Sequence, residues 1–132
     1  MSKREEVRVE GASEPISHYT DAVRFGDLLY VSGCPPFDGE GNVVGVGDVA
    51  AQTRKVLENM LDILHAAGAE MKDVLKVTVF LTNVDDRTKI NPVRQYFFGD
   101  ARPASTLIEV SKLAHPDMLV EIEAVAGIPS QS

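Results

Sequence analysis

The closing stretch Ala101–Ala126, ARPASTLIEVSKLAHPDMLVEIEAVA, constrains the fold more than any other part of the chain. It reads as two strands joined by a short loop, about Ala104–Val110 and Met118–Ala126. Side chains two apart in a strand point to the same side. Glu121 and Glu123 therefore share one face, while Val120, Ile122, Ala124 and Ala126 fill the other. Such a strand is half core, and its acidic face is where function is expected to sit.

The rest of the chain supplies partners for these strands. Val7–Val9 reads as a short first strand. Ala22–Phe25 and Leu28–Val31 flank Gly26-Asp27 as a hairpin. Ser32–Gly47 is rich in Gly and Pro and reads as a loop with turns at Asp38-Gly39 and Gly41-Asn42. Asp48 is placed to cap a helix running to about Ala67, because Val49, Thr53, Val56, Leu57, Met60, Ile63, Leu64 and Ala67 recur at helical spacing. Gly68 suits its stop. Val74–Leu81 (VLKVTVFL) reads as a strand with Leu75, Val77, Val79 and Leu81 on one face. Asp85 or Asp86 begins a second helix, about Arg87–Phe98, with Pro92 in its first turns and Gly99 at its end. The order predicts a two-layer α+β domain, a mixed sheet with two helices on one face. Two helices leave part of the other face, including Phe80, to be covered by oligomerisation.

At 132 residues the chain is read as one domain, 1–132, with Pro129–Ser132 as a tail. Cys34 is the only cysteine, which excludes an internal disulfide and fits a reducing cytosol. The start, MSKREEVRVE, lacks a signal-type apolar stretch, and no apolar run reaches membrane-spanning length, so the expected home is the cytoplasm. The net charge of −7, with Lys and Arg scattered, argues against nucleic acid and anionic membranes as partners. His18, His65 and His115 show no metal-ligand spacing, so no metal is expected.

In order and spacing the segments His18-Tyr19, Leu29–Gly33 (LYVSG), Asp48–Gly68, Asp73–Leu81, Asn91–Phe98 (NPVRQYFF), PAST–IEV and VEIEAVA resemble the RidA/YjgF family of enamine and imine deaminases over nearly the whole chain. The resemblance implies a chorismate-mutase-like α+β fold, a homotrimer with ligand sites in the clefts between subunits, and hydrolysis of a reactive imine or enamine without cofactor or metal. It places a water-positioning acid at Glu121 and substrate contacts at Tyr19 and Asn91. It also implies an arginine for the substrate carboxylate. Typical members read Pro-Ala-Arg-Ser where this chain reads Pro103-Ala104-Ser105-Thr106, so Ser105 stands in the arginine's place.

That departure has a physical price. A guanidinium pairs with a carboxylate through two charge-assisted bonds, whereas a serine hydroxyl offers one neutral donor. The loss is worth on the order of 2–5 kcal/mol of binding on a dry cleft floor, or roughly two to three orders of magnitude in affinity. Arg102 is the preferred replacement, with Arg94 and Lys112 behind it. A substrate other than 2-aminoacrylate is therefore expected, such as a larger conjugated acid. Ser105 is read as a pocket-lining hydroxyl, since no nucleophile-elbow motif surrounds it. Cys34 is read as a small residue that shapes the pocket, since no base adjoins it in sequence. The competing reading, from another class, is a non-catalytic ligand-binding or chaperone-like trimer. Ribonuclease activity stands third.

Overall fold

The computed structural model describes residues 3–129; of the expected tail, residues 130–132 lie outside the described residues. Six strands form one mixed sheet: β1 (Arg4–Val7), β2 (Ala22–Phe25), β3 (Leu28–Cys34), β4 (Val74–Leu81), β5 (Ala104–Glu109) and β6 (Val120–Gly127). Their order is β1-β2-β3-β6-β4-β5. Two helices, α1 (Val49–Ala66) and α2 (Arg87–Phe98), cover one face. The α+β expectation therefore holds.

α1 begins where the sequence places it. The Asp48 carboxylate accepts from the Ala51 N–H at 3.0 Å, satisfying a donor that the first turn leaves free. Its apolar stripe is buried against the sheet. Beside that stripe Gln52 is fully buried. Its amide donates to the Asp117 carbonyl at 2.8 Å and accepts from the Leu119 N–H at 2.8 Å. One polar side chain thereby fixes the turn that leads into β6.

Several boundaries differ from the sequence reading, each for a local reason. β1 lies earlier than Val7–Val9: the ladder ends at Val7, and Val9 N–H turns to the Asp21 carboxylate at 3.0 Å. β3 continues to Cys34, so Ser32–Cys34 belong to a strand and not to the loop. The closing strands do not pair with each other. β6 runs antiparallel between β3 and β4, and β5 runs parallel to β4 at the edge. Burial explains this order, because Val120, Ile122, Ala124 and Ala126 are nearly inaccessible whereas only Leu107 of β5 is even half-buried. Leu75 leaves its expected face. A register shift between Val74 and Lys76 makes Val74 the buried residue and leaves Leu75 53% exposed. Pro92 is the sixth residue of α2, beyond the first turn, so it removes one helical hydrogen bond.

The uncovered face carries Phe25, Leu28, Tyr30, Leu75 and Ile108, all exposed, around a half-buried Phe80. The same face presents Glu121 and Glu123. No helix of the described residues is long and apolar enough to cross a membrane.

Candidate functional site

The register fixes where each candidate points. Phe80 pairs with Glu121 and Ile108, and Thr78 pairs with Glu123 and Thr106, so both acids face the side without helices. Val77 pairs with Ala124 and Ser105, so Ser105 faces the helices. The candidate residues thus divide into two groups.

The first group surrounds Glu121. A cavity of about 440 Å³ is lined by Tyr19, Ser32, Gly33, Met118, Glu121 and Glu123, among others. Tyr19 is exposed, and its hydroxyl accepts from the Ile16 N–H at 3.4 Å, which folds the entry turn over the cavity. Ser32 donates to the Thr20 carbonyl at 2.6 Å and holds the same segment to β3. The Glu121 side chain lies flat on Gly33. A methyl group there would sit 2.8 Å from Glu121 Cδ and would overlap Oε1. Burial pushes the Glu121 carboxyl above its ordinary value of 4.5, and the charge of Glu123 pushes it further. A carboxyl kept from full solvation and poised upward is suited to accept a proton from water.

Cys34 does not join this cavity. It is the last residue of β3, 1% exposed, and its thiol donates to the Ser32 carbonyl at 3.4 Å. Burial, then Glu121 and Asp21, push its pKa far above the ordinary thiol range, which disfavours the thiolate that nucleophilic chemistry needs. Its place is the core and the floor of a neighbouring cavity of about 280 Å³ under Val9–Pro15. The expectation that Cys34 lies in a loop is corrected: it ends β3, and the cavity it lines shares Tyr19, Ser32 and Gly33 with that of Glu121.

The second group lies at the other end of the chain's sheet edge. Asn91, Arg94, Gln95, Asp100 and Arg102 line an open groove of about 830 Å³ between α2 and the entry to β5. Asn91 is the fifth residue of α2, so it is exposed in the groove and does not begin the helix. Ser105 accepts a hydrogen bond from Arg94 Nη2 at 2.8 Å. Arg94, ranked behind Arg102 from the sequence, is thus the basic residue seated on Ser105; Arg102 is exposed in the groove wall. Within one chain Glu121 and Tyr19 are brought together, Asn91, Arg94, Arg102 and Ser105 are brought together, and the two groups are not. Among the described residues no three His, Cys, Asp or Glu side chains converge as a metal site.

Gly33 and Gln52 were not identified from sequence. Gly33 belongs to the LYVSG segment, but only the approach of β6 reveals what its missing side chain permits. Gln52 sits beside the apolar stripe of α1, where a buried amide marks a hydrogen-bond clamp to a neighbouring segment.

An α+β domain with a helix-free sheet face and a half-buried acid at the start of a central strand defines the class, and similarity to known proteins gives the family. Residues 10–128 match the family model described as Endoribonuclease L-PSP, and the chain belongs to this family, known also as RidA/YjgF. It is 42% identical to a RutC family protein of Pyrococcus horikoshii over 93% of this chain and 97% of that protein. It is 41% identical to the 3-aminoacrylate deaminase RutC of Acinetobacter baylyi over 95% of this chain and 98% of that one. The crystal structure of the YjgF gene product from E. coli superposes with a TM-score of 0.85 at 34% identity, covering 93% and 98% of the two chains. Membership in this family supports deaminase-type chemistry on imines or enamines at the family level.

Proposed function

We propose that this chain is a cofactor-independent hydrolytic deaminase of a small conjugated enamine or imine acid, working as a homotrimer. The observation that carries the reading is the Glu121 carboxyl, half-buried on Gly33 in a cavity beside Tyr19, with its pKa raised. The exposed apolar side chains on the helix-free face support assembly with further copies. The separation of the two residue groups supports a site completed between copies, with Glu121 from one and the Arg94 groove from another.

The chemistry follows from the substrate class. An enamine that gains a proton at carbon and loses one from nitrogen becomes an imine, whose carbon is open to attack by water. Glu121 takes a proton from that water as the C–O bond forms. That proton passes to the nitrogen to give a carbinolamine; its hydroxyl proton then moves to the amine through Glu121 as the C–N bond breaks, so that ammonia leaves and a carbonyl remains. Tyr19 and the backbone near Gly33 hold the ligand. The first substrate to test is 3-aminoacrylate, named for the Acinetobacter relative; 2-aminoacrylate is expected to be poor if, as the family resemblance implies, Ser105 takes the place of a carboxylate-binding arginine.

Ammonia release from 3-aminoacrylate, 2-aminoacrylate and larger imines, each generated in place, tests the proposal. Turnover of any of them by the natural protein, lost in Glu121→Gln, is the expected result; silence on all of them sinks it. The second reading, a non-catalytic binding trimer, is favoured by the absence of any histidine or lysine from the described lining of the Glu121 cavity. Saturable binding of small acids without ammonia release would establish it.

A further inference from the structure

The Arg94 guanidinium is half-buried, and no carboxylate among the described residues lies within ion-pair distance of it. Arg4, Arg8 and Arg87 each meet an acid, whereas Arg94, like Arg24, Arg54 and Arg102, does not; Arg94 is the half-buried one of these four that lines a groove. Helix capping does not explain it either, because α2 has no basic residue in its last turn. Burial lowers the Arg94 pKa, the sign of a charge held partly out of water without compensation.

One Arg94 donor is accounted for by Ser105 at 2.8 Å. A guanidinium has five N–H donors in a rigid plane, so one neutral acceptor leaves most of them free. Arg94 lines the groove, and Asn91 stands three residues earlier on the same helix face. Arg102 adds a second positive charge to the wall, against one acid, Asp100. A planar fork with an empty edge, a neighbouring amide and a local positive balance match a planar anion that accepts two parallel hydrogen bonds.

We propose that Arg94, braced by Ser105, is the anchor for the carboxylate of a small organic acid, with Asn91 as a second polar contact. This deepens the deaminase reading and rests on it only in identifying that acid with the substrate. Ser105 then supports the guanidinium in place of touching the ligand first.

The test is direct binding to the full-length protein, measured by calorimetry with pyruvate as the probe and neutral pyruvamide as its control. Pyruvate is expected to bind and pyruvamide to bind weakly. Arg94→Gln should weaken pyruvate by about tenfold or more, the scale of a lost charge-assisted pair. Arg94→Lys keeps the charge but loses the fork and should fall between. Arg54→Gln removes an equal charge from the surface of α1 and should leave binding unchanged. A matching thermal midpoint and elution volume for each variant separates lost binding from lost folding. Absence of pyruvate binding, equal binding to Arg94→Gln, equal loss of pyruvamide, or displacement of pyruvate by inorganic phosphate at the same concentration would each overturn the anchor. Because binding needs no turnover, Arg94-dependent binding by a protein that deaminates nothing leaves the anchor and removes the deaminase reading. Turnover of an imine acid that is indifferent to Arg94→Gln does the reverse.

Discussion

The Glu121 cavity and the Arg94 groove solve opposite electrostatic problems on one chain. Glu121 is an acid whose nearest charged neighbour in its cavity is another acid, Glu123. Arg94 is a base whose bonded neighbour is a hydroxyl. Each charge is partly desolvated, and among the described residues neither has a counter-ion within ion-pair distance. A chain selected only for stability would neutralise both, since a charge held partly out of water without a partner costs free energy. The contrast teaches that both ends are kept ready for something outside the chain, water and a reacting carbon at one end, an anion at the other.

The most direct way to break the comparison is at its acid end. Glu121→Gln keeps the shape and removes the base, so turnover should fall by about 10²–10⁴-fold with the fold intact; an unchanged rate ends the assigned role. The same variant reports on stability. A group whose folded pKa is raised contributes stability that is full below its unfolded pKa and is lost as pH rises through the folded one. Glu121→Gln should therefore melt higher than the natural protein at neutral pH, and the gap should close below about pH 4.5, the ordinary glutamate value. A gap of the opposite sign, read by calorimetry across pH, would show that Glu121 is stabilised as the anion.

The framework behind the acid end is tested next. Gln52→Leu strands the Asp117 carbonyl and the Leu119 N–H, and should cost about 1–3 kcal/mol in denaturant unfolding. Gly33→Ala forces the Glu121 carboxyl off β3. It should cost about 1–3 kcal/mol for overpacking and reduce turnover more than Gln52→Leu does at equal folded fraction. The smallest effect sharpens the comparison. Glu123→Gln removes one of the two causes that raise Glu121, so the acid limb of the rate profile should move to lower pH. An unmoved limb would leave burial as the whole cause.

Much of this was legible in the chain. The alternation of Val120–Ala126 predicted which face of β6 is buried, and Asp48 with its apolar stripe predicted α1, because a side chain's direction follows from local geometry. The pairing of strands was not legible. β5 and β6 are consecutive in sequence yet separated by β4, since strand order is set by which strands have two apolar contacts to satisfy. The shift at Leu75 escaped for a similar reason: a bulge changes face without changing the local pattern.

The candidate site divides the same way. Sequence alone determined that Glu121 and Glu123 share a face, and which basic residues, Arg94, Arg102 and Lys112, were available to meet an acid substrate. Only the tertiary structure decided that Cys34 is sealed in the core, that Gly33 makes room for Glu121, and that Arg94 and not Arg102 rests on Ser105. The physical reason is reach. Periodicity fixes direction over a few residues, whereas a contact between α2 and β5, or between β3 and β6, exists only after the sheet has chosen its neighbours.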